Sequence, residues 1–483
     1  MKFTALRVPI LSVLLFSACT VGPNYRKPDI QLTPAYIGGG SISTALRAAD
    51  ADWWRGFHDP ELSRVVERAL EQNLDIVKAG ARVDQARAAA KFAGAALLPR
   101  ADAGASADSV HQSLDSPIGA IARTVGAARD YDVYAVGAEA SWEIDAFGGL
   151  RRGREAARAD AQAAQATEAA IRITVAAEAA DGYLALRGLQ ARLAIARSQE
   201  VLETHLVDLV SRRAARGVSS ERELHRVAGE LERVRASVPP LQGQIDAELN
   251  RLDVLMGSQA GSYRAELSAP RVQPLAPAPD GSSTPADLLR GRPDIVAAEH
   301  RLIADNARIG AALSEYYPRV SLSGLLGFAS LQTGSLLTSG AGQAEGIAGL
   351  RWRLFDFGRV DAQVAFARGR EAQSLAEYRE TVMRATEDVE NALSRIVNSD
   401  TEAHALDRQI AELTQARNQT RLAYENGVLS LIDVLDADRE LLGASDRLAV
   451  VKSDQARAAV ACYRALGGAA WSLSGSSTHV SKR

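Results

Sequence analysis

The sequence predicts an α+β fold, mostly α, made of one strand, strand, long helix, helix unit written twice. The first observation behind that expectation is an internal echo. Trp352-Arg-Leu-Phe-Asp-Phe-Gly358 repeats the pattern of Trp142-Glu-Ile-Asp-Ala-Phe-Gly148, and Gly427-Val428-Leu429-Ser430 repeats Gly217-Val218-Ser219-Ser220, both at an offset of 210 residues. Upstream the offset is 219: Leu98-Pro99-Arg100 matches Tyr317-Pro318-Arg319, and Arg82-Val83 matches Arg301-Leu302. A period this long marks a duplicated half-molecule, not a solenoid unit. The second observation is where proline is missing. None falls between Pro117 and Pro239, nor after Pro318, so the arms Gly148 to Gly217 and Gly358 to Gly427 can each run as one helix of ~100 Å at ~1.5 Å per residue. The third is period-2 alternation in four segments of ~9–11 residues, the length a tilted membrane strand needs.

In chain order, residues 1–18 read as an export signal. Lys2 and Arg7 supply charge, Val8 to Phe16 an apolar run, and Phe16-Ser17-Ala18-Cys19 resembles a lipobox, with Phe16 where Leu is usual. Cys19 is the expected lipidation site, a palmitoylated diacylglyceryl cysteine, and Thr20 behind it, where Asp would retain the protein, implies sorting to a Gram-negative outer membrane. Residues 19–60 read as a lipidated tether ending at Trp53-Trp54-Arg55-Gly56-Phe57. Asp59-Pro60 opens a helix, proline being favoured in a first turn, and Asn73 opens another that runs to Leu98.

The first repeat spans 61–257, with strands at about 101–109 and 131–143 and a coiled-coil hairpin whose tip is Gly217-Val218. Residues 258–284, holding Pro270, Pro274, Pro277 and Pro279, form a connector of low helix content. The second repeat, 285–466, carries a helix over 292–317, strands at about 319–329 and 345–355, and a hairpin with its tip at Gly427-Val428. Residues 467–483 form a tail. Trp142, Phe147 and Gly148, then Trp352, Phe357 and Gly358, mark the two strand-to-helix turns, where glycine punctuates a change of period from 2 to 3.6. Beyond Gly358, Val360, Val364, Ala367, Leu375, Tyr378 and Val382 recur mostly every three or four residues, a coiled-coil seam.

In the strands, Ala101, Ala103, Ala105 and Ala107 oppose Asp102, Gly104, Ser106 and Asp108, and Val320, Leu322, Leu326 and Phe328 share one face. Alternation alone fits a half-buried soluble sheet equally well. The long loops 108–131 and 330–345, in which Ser and Gly recur, favour a membrane barrel. Four strands close no barrel, since the smallest membrane barrels have ~8, and an open edge in lipid strands backbone groups at roughly several kcal/mol each. Membrane strands therefore require two, three or more chains.

Composition narrows the rest. The formal charge is −3, and losing Lys2 and Arg7 with the leader takes it to −5, so nothing points to nucleic acid. With Cys19 lipidated, only Cys462 remains, too few for a disulfide framework; Cys462 reads as a small buried apolar residue. Beyond the leader no run of ~18 apolar residues occurs. There is no His-Glu-x-x-His, Gly-x-Ser-x-Gly or Walker A motif, so neither an enzyme nor a cofactor is expected. His205 and His225, on charged helices, read as surface residues.

Several motifs together carry a resemblance. They are the lipobox, Arg292-Pro293-Asp294-Ile295 with its Ala-rich helix to Tyr317-Pro318, the Leu354-Phe355-Asp356-Phe357-Gly358 turn, and Tyr424-x-x-Gly427 leading into Asp433-Val434-Leu435-Asp436-Ala437-x-Arg439. In order and spacing the chain resembles the TolC/OprM outer-membrane efflux family, in its lipoprotein branch, over residues 16–466. The resemblance implies a homotrimer whose strands, four per chain, form a 12-stranded outer-membrane β-barrel continued by a periplasmic α-helical barrel. It also implies an inner-membrane pump of the resistance-nodulation-division type and a periplasmic adaptor, the assembly exporting drugs or other small amphiphiles. By the same resemblance Asp433 and Asp436 face a narrowing lumen, with Ile432, Tyr424 and Arg439 in its closing contacts. Two Asp rings on a threefold axis favour cations, and repulsion within them should raise some of their pKa values. The first copy carries Glu223 and Arg226 instead, so its tip makes no equivalent ring. The rival function is a periplasmic coiled-coil adaptor or scaffold lipoprotein without a pore. An adaptor would carry one hairpin between compact β-domains, whereas this chain has two in duplicated frames.

Overall fold

A computed structural model describes residues 20–30, 52–275 and 291–467. The expected leader, the lipidation site Cys19, much of the tether and the tail beyond Gly467 lie outside the described residues. The chain divides into two compact units, one of Met1–Pro28, Asp84–Ala163 and Glu299–Glu377, the other of Asp29–Val83, Ala164–Ala298 and Tyr378–Arg483.

The first unit holds one antiparallel sheet in the order β1-β2-β3-β4, with β1 Arg100–His111, β2 Asp130–Ile144, β3 Arg319–Ser330 and β4 Gly342–Arg351. Three strands fall close to their expected places. β4 does not: it stops at Arg351, short of 355, and Trp352 lies just beyond it. The pairing gives the reason. β2 continues through Trp142, Glu143 and Ile144 because Leu322, Ser321 and Val320 of β3 lie beside them, while the equivalent Trp352, Arg353 and Leu354 have no neighbouring strand among the described residues. The 108–131 loop contains an unforeseen short helix, α3 (Pro117–Thr124), whose first turn is capped where Gly119 N donates to Ser116 Oγ at 3.1 Å.

Residues 20–28 are docked in this unit and do not trail as a tether. Val21 N donates to Phe147 O at 3.1 Å, and buried Arg152 reaches Asn24 Oδ1 at 2.7 Å. Lys27 pairs with Glu299 at 2.6 Å. Gly148 must be glycine here, both for its φ of +82° and because a Cβ would stand 2.7 Å from Thr20. Helix α4 (Gly149–Ala215) lays Ala156 and Ala159 against Ala304 and Ala307 of α7 (Pro293–Ser314), small side chains that let the helices approach closely.

The second unit is helical, and its core explains the tryptophan pair. Trp53, Trp54 and Phe57 sit in one tight turn, Trp53–Phe57, and are buried with Leu184, Leu249, Leu252, Met256 and Val460. The end of the expected tether is thus core, held by apolar burial worth roughly 2–3 kcal/mol per large side chain. Asp59 caps α1 (Pro60–Gln72) by accepting from Glu61 N at 2.8 Å. Asn73 caps α2 (Leu74–Ala95) by accepting from Asp75 N at 2.8 Å. Helix α5 (Glu221–Leu255) carries Pro239 and Pro240 in its interior, where two backbone donors are missing. Of the connector, Arg264–Leu267 forms the one-turn helix α6. The remaining elements are α8 (Arg359–Glu425) and α9 (Leu431–Ala465). The arms α4 and α8 have 67 residues each, and their returns α5 and α9 have 35 each, so the duplication is preserved helix for helix. Cys462 is free, packed against Val389 and Leu393, and burial pushes its thiol up to about 12. No described helix is long and apolar enough to cross a membrane.

Candidate functional site

The two hairpin tips are built alike. At the end of α4, Gly217 turns left-handed with φ +72°, Gly217 N donates to Ala214 O at 2.9 Å and Val218 N to Arg213 O at 2.9 Å. At the end of α8, Gly427 has φ +74°, Gly427 N donates to Tyr424 O at 2.9 Å and Val428 N to Ala423 O at 2.8 Å. These bonds satisfy the last carbonyls of each arm, and a left-handed residue there favours glycine. Val218 and Val428 stand exposed at the two apices.

Each return helix opens with a capping box. Ser220 N donates to Glu223 Oε2 at 3.0 Å and Glu223 N to Ser220 Oγ at 3.3 Å. Ser430 N donates to Asp433 Oδ2 at 2.9 Å, and its hydroxyl donates to the same oxygen at 2.6 Å. Glu223 and Asp433 are therefore structural equivalents, although sequence reading set them apart. The Ser-x-x-acid spacing carried that signal. The copies truly diverge at Arg226 and Asp436. Within one chain the Ser430 hydroxyl and amide hold the Asp433 carboxyl below the usual range.

The gate candidates split into an apolar and a charged set. Tyr424 is buried with Leu206, Val210 and Val227 of the first hairpin and Leu431, Val434 and Leu435 of its own, and the Arg213 guanidinium lies 4.9 Å from its ring centroid. The two tips thus pack on each other through one ring. Its hydroxyl is buried with no partner among the described residues. Asp433, Asp436, Arg439 and Ile432 are exposed. Arg439 bridges Asp436 at 3.1 Å and Glu230 of α5 at 3.4 Å, so it links the returns of the two hairpins. Buried Asp438 accepts from Arg417 Nε at 2.7 Å.

Sequence reading missed Glu203 on α4, which no local motif marks. It is 1% exposed, and one carboxylate oxygen has no partner among the described residues. Burial pushes its pKa from 4.5 up to about 7, assisted by the like charges of Asp438 and Glu230 and opposed by the bond from Gln199 Nε2 and by Arg233. The folded chain then holds a proton that the unfolded chain has lost. Stability is fully retained below about pH 4.5, declines as pH rises through about 7 and levels above it, by ~3 kcal/mol in all. Glu203→Gln should flatten that slope and stabilise the protein at pH 8 relative to wild type. Denaturation midpoints at pH 5 and pH 8 measure it, and an unchanged slope would assign the effect elsewhere.

At the strand-to-helix turns, Trp142 Nε1 donates to Leu97 O and Trp352 Nε1 to Tyr316 O, both at 3.0 Å. Phe147 stacks on Tyr317 with centroids 4.6 Å apart. Phe357, its counterpart, is wholly exposed with φ +56°. The helix caps have slipped by one residue between copies. Asp145 accepts from Arg151 N at 2.8 Å, whereas Asp356 accepts from Val360 N at 2.9 Å. Gly358, with φ +83°, keeps the place of Gly148. His205 and His225 are exposed, and no group of three or more His, Cys, Asp or Glu placed to hold a metal occurs among the described residues.

Comparison with known proteins agrees with this architecture. The chain is 30% identical to the probable efflux pump outer membrane protein SepC of Pseudomonas putida over 95% of each chain. It is 29% identical to outer membrane protein OprJ of Pseudomonas aeruginosa, again over 95% of each. Among solved structures, the outer-membrane channel OprN superposes with a TM-score of 0.86 at 33% identity, covering 93% of this chain and 99% of that one. The family profile described as outer membrane efflux protein matches residues 65–258 and 284–468, one stretch for each copy of the repeat. This chain belongs to the outer membrane efflux protein family and is an efflux channel of the Gram-negative outer membrane.

Proposed function

We propose that three copies of this chain form the exit duct of a tripartite efflux pump, and that the duct catalyses nothing. The observation that carries this reading is the four-stranded sheet, whose two edges β1 and β4 are both unpaired among the described residues. Lipid tolerates no such edge, and three chains of four strands make a 12-stranded barrel within the size range of membrane barrels. The long helices extend the duct into the periplasm, where a periplasmic adaptor and an inner-membrane pump of the resistance-nodulation-division type meet it. The cargo is drugs or other small amphiphiles, chosen by the pump. Cys19 carries an auxiliary lipid anchor, and Thr20 and Val21, packed at Gly148 and Phe147, lead the chain from it to the strand ends.

The gate lies at the second hairpin. Asp433 and Asp436 supply two rings of three carboxylates, Arg439 and Tyr424 hold the closed arrangement, and exposed Ile432 adds an apolar contact. Because its serine cap keeps Asp433 ionised, the lumen prefers cations. Single-channel conductance in a planar bilayer tests this with the mature protein beside the Asp433→Asn/Asp436→Asn double variant. Asn keeps a side-chain oxygen for Ser430 N, so the hairpin cap survives. Wild type should conduct in small cation-preferring steps, with the preference lost in the variant. If neither protein inserts or conducts, the strands form no barrel and a periplasmic scaffold takes the channel's place.

A further inference from the structure

The two faces of the sheet differ in chemistry. One carries Trp142, Leu322, Leu326 and Leu350, and by alternation the other carries Arg100, Glu143, Arg319 and Arg351. Side-chain contacts agree with that assignment. Arg100 pairs with Asp102, two residues on along the same face, at 2.8 Å. Arg319 lies 3.9 Å from Glu143 and pairs with Glu315, which Arg353 also reaches at 3.1 Å. Arg353, just beyond the end of β4, thus joins the same group.

Like charges meet across the polar face at two places. At the helix end of the sheet Arg319 of β3 stands directly opposite Arg351 of β4. Farther from the helices Asp102 stands directly opposite Glu139, and Glu345 lies on the same rung. Like charges directly opposite destabilise a ladder, so the stability of the sheet accounts for neither pair. Arg351 and Glu345 are ~20 Å apart along β4 at ~3.4 Å per residue, more than twice the ~8 Å Debye length of physiological salt, so the carboxylate rung does little to neutralise the arginines. Nor are the arginines neutralised locally. Arg319 and Arg353 share the carboxylates of Glu315 and Glu143, whereas Arg351 is exposed and has no side-chain partner among the described residues. Three guanidiniums against two carboxylates leave a net positive charge on each chain.

We infer that Arg351, backed by Arg319 and Arg353, is a subsite for the anionic groups of passing cargo (carboxylate, sulfonate or phosphate) at the helix end of the barrel lumen. The inference rests on the duct reading above, since only in a barrel does the polar face line a lumen, and it names a cargo chemistry opposite in sign to that of the gate. A guanidinium that holds no protein carboxylate is free to take a ligand anion on two donors at once. The facing of the sheet identifies the source of that anion. The apolar face meets lipid, so headgroups lie across the sheet from Arg351, and solutes in the duct are what it meets. Its exposure keeps the hold weak, as conduction requires.

Planar-bilayer recording of the mature protein, with inositol hexakisphosphate added to either side, tests the subsite. Wild type should show a voltage-dependent block that weakens as salt is raised. Arg351→Ser removes an exposed, unpaired side chain and should insert as wild type does. It should raise roughly tenfold the concentration needed for half block, the effect of three lost pairs of surface strength, while block by the polycation spermine does not weaken. Arg351→Glu should abolish the anion block. Bilayers with and without phosphatidylglycerol separate the two sources of anion. Equal block in both keeps the ligand in the lumen, whereas block that vanishes with phosphatidylglycerol present means that headgroups hold the arginines, and overturns the lumenal site. A wild type that conducts but is not blocked, that is blocked equally in Arg351→Ser, or whose spermine block falls in parallel in that variant also overturns the subsite and leaves the duct standing. If wild type forms no conducting steps, the duct reading falls and the subsite falls with it.

Discussion

Arg187→Ala is expected to destabilise the helical unit by about 3–5 kcal/mol, visible as a fall of roughly 5–10 °C in apparent melting temperature. Arg187 is fully buried on α4 and ties its own helix to two other stretches of chain, α1 and residues 267–269. One guanidinium nitrogen pairs with Glu61 of α1. The other donates to Gln190 Oε1 at 2.6 Å, to Ala269 O at 2.8 Å and to Leu267 O at 3.3 Å. The plane also lies 4.7 Å from the centroid of Tyr183, whose hydroxyl donates to Asp59 Oδ2 at 2.7 Å and whose pKa burial raises, so it remains a donor at any physiological pH. Truncation takes from Glu61, 1% exposed, its one buried cation and leaves it the Tyr183 hydroxyl at 3.2 Å, the half-exposed Arg271 at 3.2 Å and a distant Arg64. An uncompensated buried carboxylate costs far more than a surface pair is worth. The double variant Arg187→Met/Glu61→Leu removes both charges and should recover much of the loss. A melting temperature within a degree or two of wild type for Arg187→Ala would show that solvent reaches Glu61.

That network was invisible in the sequence for a physical reason. Arg187 and Glu61 are 126 residues apart, and neither stands in a local pattern that differs from an ordinary charged helix face. What was legible was local or repeated. Gly217 and Gly427 end arms that lack proline, and their left-handed φ values follow. Asp59 and Asn73 are caps by residue type. The strands were legible from alternation, and β4 was carried too far past Arg351 because a strand's end depends on its neighbour, which Trp352 to Leu354 lack among the described residues. Asp433 was read through its expected lumen and its capping role overlooked, although Ser430 three residues before it gave notice. Glu203 escaped because burial, not residue type, sets its behaviour.

Tyr424→Ala should open the proposed gate far more than any charge change at Asp436. The ring is 5% exposed and packs both hairpin tips together, and truncating a buried aromatic typically costs about 3–5 kcal/mol. The Asp436–Arg439 pair is about half exposed at both ends, so it contributes about 1 kcal/mol at most. Three chains multiply both terms equally. If opening undoes a third of each contact, the ring term shifts the closed-open balance by ~3 kcal/mol per trimer, roughly 100-fold, and the ion pair by ~1 kcal/mol, roughly 5-fold. Conductance steps of Tyr424→Ala and Asp436→Asn, recorded under identical salt, compare the two directly. Tyr424→Phe separates ring from hydroxyl: with no partner for the hydroxyl among the described residues, Phe should conduct as wild type does. If Phe opens the channel as widely as Ala, the hydroxyl is bonded across a chain boundary and holds the gate. If Asp436→Asn opens it more than Ala at 424, charge and not packing keeps the tips closed.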